Sequence, residues 1–358
     1  MKVSLQGTVI FSMVLLSFFG LLTILSSQSE SSTPYYFFTR QLISFAAAVL
    51  MMFFCSFLPF AFFRKNALLL AGVFLLAVLV LPFFGTRING MCGWFRYGTF
   101  SLQPTEISKA FFLLGLIAVI KHFKTGWRSF FAGLGYTLLW CGAILIQPDL
   151  GTTFIYFSVF MLVMFVSGIG WRWIIGSITL AAAGMVMFIK FHPYAMKRLA
   201  AFLNPGESWH LQQLELAVAR GGWFGSKLGQ ALWSNAYVPL PYNDSAYATL
   251  TETVGFAGAI LVLLLFVVLL VALSCAAMRS AGSDHAKLFI AGCVAIIGVQ
   301  TLLHVGVNLS LVPPTGLTLP LISYGGSSLV GCGILLGIAV SASKEKLLYN
   351  ESVSKDTK

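Results

Sequence analysis

Ten apolar stretches follow one another along the chain, near residues 7–27, 43–63, 66–84, 106–121, 130–146, 150–169, 172–190, 248–274, 286–311 and 324–343. A helix needs about 20 apolar residues to cross roughly 30 Å of hydrocarbon, so each stretch predicts a membrane span. The pattern predicts an all-α integral membrane protein of about ten transmembrane helices, forming a single polytopic membrane domain over residues 1–358. A long extracytoplasmic loop, 191–247, separates spans 7 and 8, and a cytoplasmic tail occupies 344–358. Within the loop, Leu211 to Val218 and Trp223 to Trp233 mix apolar and polar residues at helix-like spacing. With Trp209, Trp223 and Trp233 they predict amphipathic helices lying at the membrane interface. Extended loops of this size are uncommon unless they serve a function. The first stretch is long for the core of a signal peptide, despite the small residues from Ser27 to Ser32, and it reads as a span.

Composition removes the soluble alternatives: 58% of the residues are apolar and 9% charged. A soluble domain with that balance would be covered in apolar surface and would aggregate. The net charge of +11 is spread between the apolar runs, so it orients the spans and provides no surface for nucleic acid. Placing the N-terminus inside puts Lys2, Arg64, Lys65, Lys121, Lys124, Arg128, Arg172, Arg279, Lys287 and Lys344 in short cytoplasmic segments, with both termini cytoplasmic. The expected location is a membrane, with membrane lipids as neighbours. Six cysteines without CxxC spacing predict no disulfide framework, and with five scattered histidines they predict no structural zinc site. Glu106, Asp149, Glu207, Glu215, Asp244 and Glu252 all fall on outer loops or outer helix ends, so any chemistry faces outward.

Several constellations can carry chemistry. Glu106 and Lys109 follow Gln103-Pro104, a helix start, and their i, i+3 spacing puts both on one helix face. They form either a stabilising ion pair or a charged pair lining a polar cavity. Asp244 ends the stretch Val238-Pro-Leu-Pro-Tyr-Asn-Asp244, and it is either a general base near the membrane surface or the cap of the following helix. Gln147-Pro-Asp-Leu-Gly-Thr152 reads as a tight turn in which Asp149 caps the sixth span. Glu252 lies inside the eighth span, where an ionisable group is paired or functional. The Pro- and Gly-rich segment from Pro313 to Ser328 cannot be a continuous helix and must be buried in protein or line a wet cavity. Its Gly325-Gly326-Ser327-Ser328 end supports only a weak inference of anion binding.

In order along the chain these motifs resemble the SEDS family (shape, elongation, division and sporulation), the FtsW/RodA/SpoVE group. The resemblance covers about residues 85 to 343: Asn89-Gly90 with Trp94, Gln103-Pro-Thr-Glu-Ile-Ser-Lys109, Gln147-Pro-Asp-Leu-Gly-Thr152, Arg198 with Phe202-Leu-Asn-Pro205, Asp244, and Ser323-Tyr-Gly-Gly-Ser-Ser328. It implies a glycosyltransferase that polymerises lipid II, an undecaprenyl-pyrophosphate-linked precursor, into glycan strands. It also implies the bacterial cytoplasmic (inner) membrane as location and a class B penicillin-binding protein as partner, within the divisome or the elongation machinery. Asp244 matches the family's essential acid, and Glu106 and Lys109 match its functional Glu and Lys. The wording of 315–328 is nearer the division-type branch.

On this reading Asp244 is the base and Lys109 and Arg198 contact the diphosphate. Glu106 orients Lys109, Glu252 adds a substrate contact, and a divalent cation (Mg or Mn) shares the leaving-group work. Asn89, Trp94, Gln103, Pro104, Gln147, Asp149, Ser323, Gly325, Gly326 and Ser327 build the framework. Gly93, Leu240, Tyr242, Thr253 and His304 depart from the family pattern, where Arg, Glu, His, a second acid and Asn are usual. A lipid transporter and a scaffold without chemistry are the competing functions.

Overall fold

The computed structural model describes residues 5–28, 35–88, 91–98, 100–123, 126–226, 230–280 and 283–356. The chain opens with α1 (Leu5–Ser27), α2 (Tyr36–Phe57), the short α3 (Phe60–Lys65) and α4 (Ala67–Phe84). Three strands follow, β1 (Thr86–Ile88), β2 (Met91–Tyr97) and β3 (Phe100–Leu102), paired antiparallel in that order. Then come α5 (Pro104–His122), α6 (Trp127–Leu145), α7 (Leu150–Val166), α8 (Trp171–Phe191), α9 (Pro193–Leu203), α10 (Trp209–Gly221) and α11 (Leu232–Tyr237). The chain closes with α12 (Ala246–Arg279), α13 (Asp284–Asn308) and α14 (Gly326–Asp356).

Ten of these helices coincide with the ten predicted stretches, and eight are long and apolar enough to cross a membrane by length and composition. The other two are α7, with 17 residues, and α5, which carries Glu106, Lys109 and Lys121. Charge is tolerated in α5 because it runs through the middle of the bundle, packed by α4, α6, α7, α13 and α14. Around it Phe112, Trp140 and Tyr156 pack ring against ring, all fully buried. Close approach of α14 to α2 uses Gly333 and Gly337, four residues apart. A Cβ on either would sit 2.3–2.4 Å from a backbone oxygen of α2, at Ala48 and Met52. Small residues at that spacing let two membrane helices approach to backbone contact.

Several boundaries differ from those the apolar pattern predicts. Pro59 is extended, so α2 ends at Phe57 and not at 63. At its start α2 takes in Thr39, Arg40 and Gln41, because Thr39 bonds back to the helix and Gln41 bonds Ser323 and Gly325. The helix α14 continues beyond 344, so the predicted tail begins as helix. In the long loop, α10 covers the first predicted helix, whereas the second forms only from Leu232 onward, as α11. The helix α9 and the three-stranded sheet were not expected.

Charged and polar contacts gather on the two ends of the bundle. On one end, Arg64 pairs with Glu345 at 3.1 Å and Lys121 with Asp284 at 2.6 Å, giving a basic face. The opposite end carries the sheet, α9 to α11 and the segment 309–325, giving a loop face. That last segment dips into the bundle: Ser17, midway along α1, donates to Leu321 O at 3.1 Å, and a Cβ on Gly20 would meet Ile322 O at 2.4 Å. Leu317, Leu319, Leu321 and Ile322 are buried there. Irregular backbone at this depth is thus enclosed in protein, as a low-dielectric surrounding demands.

Candidate active site

Asp244 stands in the turn that leads into α12. Asn243 N donates to Leu240 O at 2.9 Å and Ser245 Oγ to Pro239 O at 2.9 Å, which closes the turn. Leu240, between two prolines, takes a left-handed φ of 48°, a conformation that costs free energy in a side-chain-bearing residue and clusters at functional sites. The helix-cap alternative for Asp244 is not realised. Ser245 occupies the cap position, and the Asp244 Oδ1 is buried without a hydrogen-bond partner.

Two side chains act on this carboxyl through charge: His210, in the first turn of α10, and Arg198, in α9. Burial pushes the Asp244 carboxyl above the ordinary carboxylate range; His210, then a hydrogen bond from its own backbone N–H, and then Arg198 pull it partly back. Burial lowers the proton affinity of His210, the Asp244 carboxylate partly restores it, and Arg198 lowers it again. The His210 Nε2 is buried and unpartnered. Arg198 Nη1 donates to Thr315 O at 2.9 Å. The neighbouring Gly316, at φ 73°, lets the guanidinium lie against the loop, since a Cβ there would sit 3.3 Å from Nη2. A carboxylate of raised proton affinity beside an imidazole and a guanidinium can accept a proton from an alcohol and hold an anionic group.

Glu106 and Lys109 sit deeper. Lys109 Nζ donates to Glu106 Oε1 at 2.7 Å and to Gln300 Oε1 at 2.8 Å, and both charged residues are buried. Gln300 Nε2 donates to Thr318 O at 2.9 Å, which ties the pair to the dipping segment. Gln300, His304 and Asn308 lie at i, i+4 and i+8 on α13, one face over about 12 Å. His304 Nδ1 bonds Leu317 O at 2.7 Å, and Asn308 Nδ2 donates to Asp244 O at 3.0 Å. Lys109 and Asp244 are thus the two ends of one polar stripe.

The remaining candidates fall into place around this stripe. Glu252 has found its partner: its carboxylate accepts Trp233 N at 3.0 Å, Ser234 N at 2.8 Å and the Ser234 hydroxyl, all at the start of α11. These bonds hold the start of α11. Asp149 caps α7, with Thr152 N donating to its Oδ1 at 2.9 Å. Gln147 Nε2 reaches Val78 O at 2.8 Å. Pro104 is the first residue of α5, and Gln103 N donates to Ser327 Oγ at 2.8 Å. Ser323 Oγ donates to Asn243 O at 2.6 Å and accepts from Leu319 N at 2.8 Å. Gly325 N donates to Gln41, and Gly326 packs against Ser44, so the Gly-Gly-Ser-Ser stretch spends its polar groups within the fold. Trp94 lies on β2, paired with Thr86. Asn89 and Gly90 lie outside the described residues.

Comparison with known proteins fits this geometry. Residues 6–347 match the model of the FtsW/RodA/SpoVE cell cycle protein family. The chain belongs to that family. It is 34% identical over 291 residues to a probable peptidoglycan glycosyltransferase FtsW of Pseudomonas fluorescens, covering 77% of this chain and 70% of the relative. It is 33% identical over 292 residues to the stage V sporulation protein E of Bacillus subtilis, covering 78% and 79%. Among solved structures, a chain from a study of how a peptidoglycan synthase complex coordinates polymerization and crosslinking aligns with a TM-score of 0.80 at 27% identity, over 94% of this chain and 97% of that one. The rod shape determining protein RodA of Thermus thermophilus aligns with a TM-score of 0.72 at 26% identity, over 94% and 96%. The chain is thus a multi-pass membrane protein of the FtsW/RodA/SpoVE fold.

The departures from the family pattern now have surroundings. Thr253 bonds Thr249 O at 2.8 Å along its own helix. Gly93 is confined by Met91, whose Cε would lie 2.8 Å from an added Cβ. Tyr242 stacks on Phe37 with ring centroids 4.5 Å apart. Sequence reasoning missed His210 as a site residue. The only cue was an isolated His in the first turn of a loop helix, whose partner lies 34 positions away.

Proposed function

We propose that this FtsW/RodA/SpoVE member is a peptidoglycan glycosyltransferase of the bacterial cytoplasmic (inner) membrane, polymerising lipid II into glycan strands. The basic face on the opposite end supports an extracytoplasmic loop face and cytoplasmic termini. The observation that carries the reading is the buried, unpartnered Oδ1 of Asp244, flanked by His210 and Arg198 on the loop face.

In the reaction the acceptor 4-hydroxyl attacks the donor's anomeric carbon. A C–O bond forms as the bond from that carbon to the diphosphate oxygen breaks. Asp244 takes the hydroxyl proton, aided by the proton affinity that burial gives it. Arg198, held by Thr315, meets the negative charge of the departing diphosphate. Lys109, with both Glu106 and Gln300 bonded to it, works as a positioning group that fixes α5 and the dipping segment. The donor's lipid tail needs a site that opens sideways to the bilayer.

Among the described residues, no group of three or more His, Cys, Asp or Glu lies together. The unpartnered Asp244 oxygen nonetheless fits a cation held by one carboxylate and the substrate's phosphates, a common arrangement for magnesium. Bound there, magnesium or manganese would offset charge on the diphosphate. Relatives named FtsW and stage V sporulation protein E favour a role in division over elongation. The synthase-complex neighbour supports a transpeptidase of the class B penicillin-binding type as partner.

The test is reconstitution of the purified chain in vesicles with labelled lipid II supplied only on the side of the loop face. Glycan formed there supports a polymerase. Movement of lipid II to the other leaflet without glycan would indicate a transporter, and neither outcome would leave a scaffold.

A further inference from the structure

An aromatic cluster on the loop face has no task in the mechanism above. Phe37, near the start of α2, stacks on Tyr242 at 4.5 Å and meets Tyr324 edge-on at 5.2 Å. Tyr242 and Tyr324 are themselves edge to face at 5.7 Å. Tyr36 adjoins Phe37 at 5.2 Å, and the Arg40 guanidinium lies over the Tyr36 ring at 5.0 Å. Four rings from three separate parts of the chain are locked together, yet Phe37, Tyr242 and Tyr324 are only half-buried and Tyr36 is 42% exposed. Rings of an interfacial belt sit at the level of the lipid headgroups. This cluster is instead fastened to the catalytic turn, by Tyr324 N donating to Tyr242 O at 2.7 Å and Ser323 Oγ donating to Asn243 O at 2.6 Å.

Its position along the dipping segment gives it a direction. Arg198 grips Thr315 at the segment's beginning, and the aromatic cluster holds Tyr324 at its end. Asp244 is tied to the aromatic end, where Ser323 donates to the neighbouring Asn243 O, and to α13 through Asn308. Tyr242 precedes Asp244 by two residues, a reach of no more than about 7 Å, which is the scale of one sugar ring. Pyranose rings present a face of C–H groups that packs on aromatic rings, while tyrosine hydroxyls and a guanidinium satisfy the equatorial hydroxyls.

Resting on the glycosyltransferase reading, we propose that Phe37, Tyr242 and Tyr324, with Tyr36 and Arg40, form a carbohydrate platform. It binds the acceptor glycan on the side of Asp244 away from the diphosphate. The donor's charge is recognised at the Arg198 end and the uncharged sugar backbone at the aromatic end.

The probe is a lipid-free glycan oligosaccharide of alternating N-acetylglucosamine and N-acetylmuramic acid, titrated into the purified full-length chain and followed by ligand-observed NMR saturation transfer. Wild-type protein should bind it. Tyr242→Ala should weaken binding about tenfold, as expected for loss of one aromatic packing contact and its hydroxyl. Tyr242→Phe should retain most of it, and Tyr36→Ala, at an exposed position that cannot unseat the turn, should weaken it by a smaller factor. In polymerisation of labelled lipid II, Tyr242→Ala should give shorter strands. Equal binding by wild type, Tyr242→Ala and Tyr36→Ala would overturn the platform, as would no binding by a wild type that polymerises lipid II. A wild type that makes no glycan would instead fail the glycosyltransferase reading.

Discussion

Asp244 and Glu106 lie at opposite ends of one polar face on α13, and burial has led them to opposite states. Glu106 is matched by Lys109 at 2.7 Å, and Lys109 is matched again by Gln300. Asp244 keeps one buried oxygen unmatched, with His210 and Arg198 acting on the carboxyl through charge. A satisfied buried pair holds structure, whereas an unsatisfied carboxyl stores proton affinity that a substrate can use. Both regions contain acids essential to the family resemblance, yet their surroundings assign them different work.

That contrast can be broken at either end. The largest effect expected is on catalysis: Asp244→Ala should lower glycan formation by about 10²–10⁴-fold, the range for removing a general base, measured as strand synthesis from labelled lipid II. At the other end, Lys109→Met leaves Glu106 as an uncompensated buried charge and should destabilise the protein by about 3–5 kcal/mol in a thermal or denaturant unfolding series. Adding Glu106→Gln should restore most of that stability; a double variant as unstable as the single one would mean that the pair does more than neutralise itself. Arg198→Ala should raise the KM for lipid II about tenfold with little change in unfolding midpoint, as loss of a charge-assisted phosphate contact predicts. The smallest effect concerns Glu252→Gln, which should cost about 1 kcal/mol and speed amide exchange in α11 while sparing catalysis.

pH sharpens the same comparison. The carboxyl of Asp244 is raised, so the acidic limb of the pH–rate profile should lie above the ordinary carboxylate range, activity falling as pH drops through it. The sign for stability is the reverse. A folded-state proton affinity above that of the unfolded chain favours the fold at pH below the unfolded value, and this contribution is lost as pH rises through the folded one. Replacing Asp244 by Asn should therefore leave stability at neutral pH equal or higher.

Much of this was legible along the chain. Apolar runs located the ten long helices, because hydrophobicity over about 20 residues is set locally. Pro104 marked the start of α5, and Asp149 marked the cap of α7. What stayed hidden depends on distant partners. The surroundings of Glu252 are completed by α11, whose apolar and polar spacing gave no sign of an anion-binding start. His210 faces Asp244 only because α10 folds back on α12. The sheet of 86–102 follows an apolar helix with residues that alternate poorly, and Phe37 meets Tyr242 across more than 200 positions of chain.

The most direct test places Asp244→Asn beside Glu106→Gln, reading glycan products on a gel together with each variant's unfolding midpoint at neutral pH. The account predicts that Asp244→Asn keeps or raises the midpoint and makes no glycan, and that Glu106→Gln lowers the midpoint. Glycan of normal length from the folded Asp244→Asn protein would contradict it.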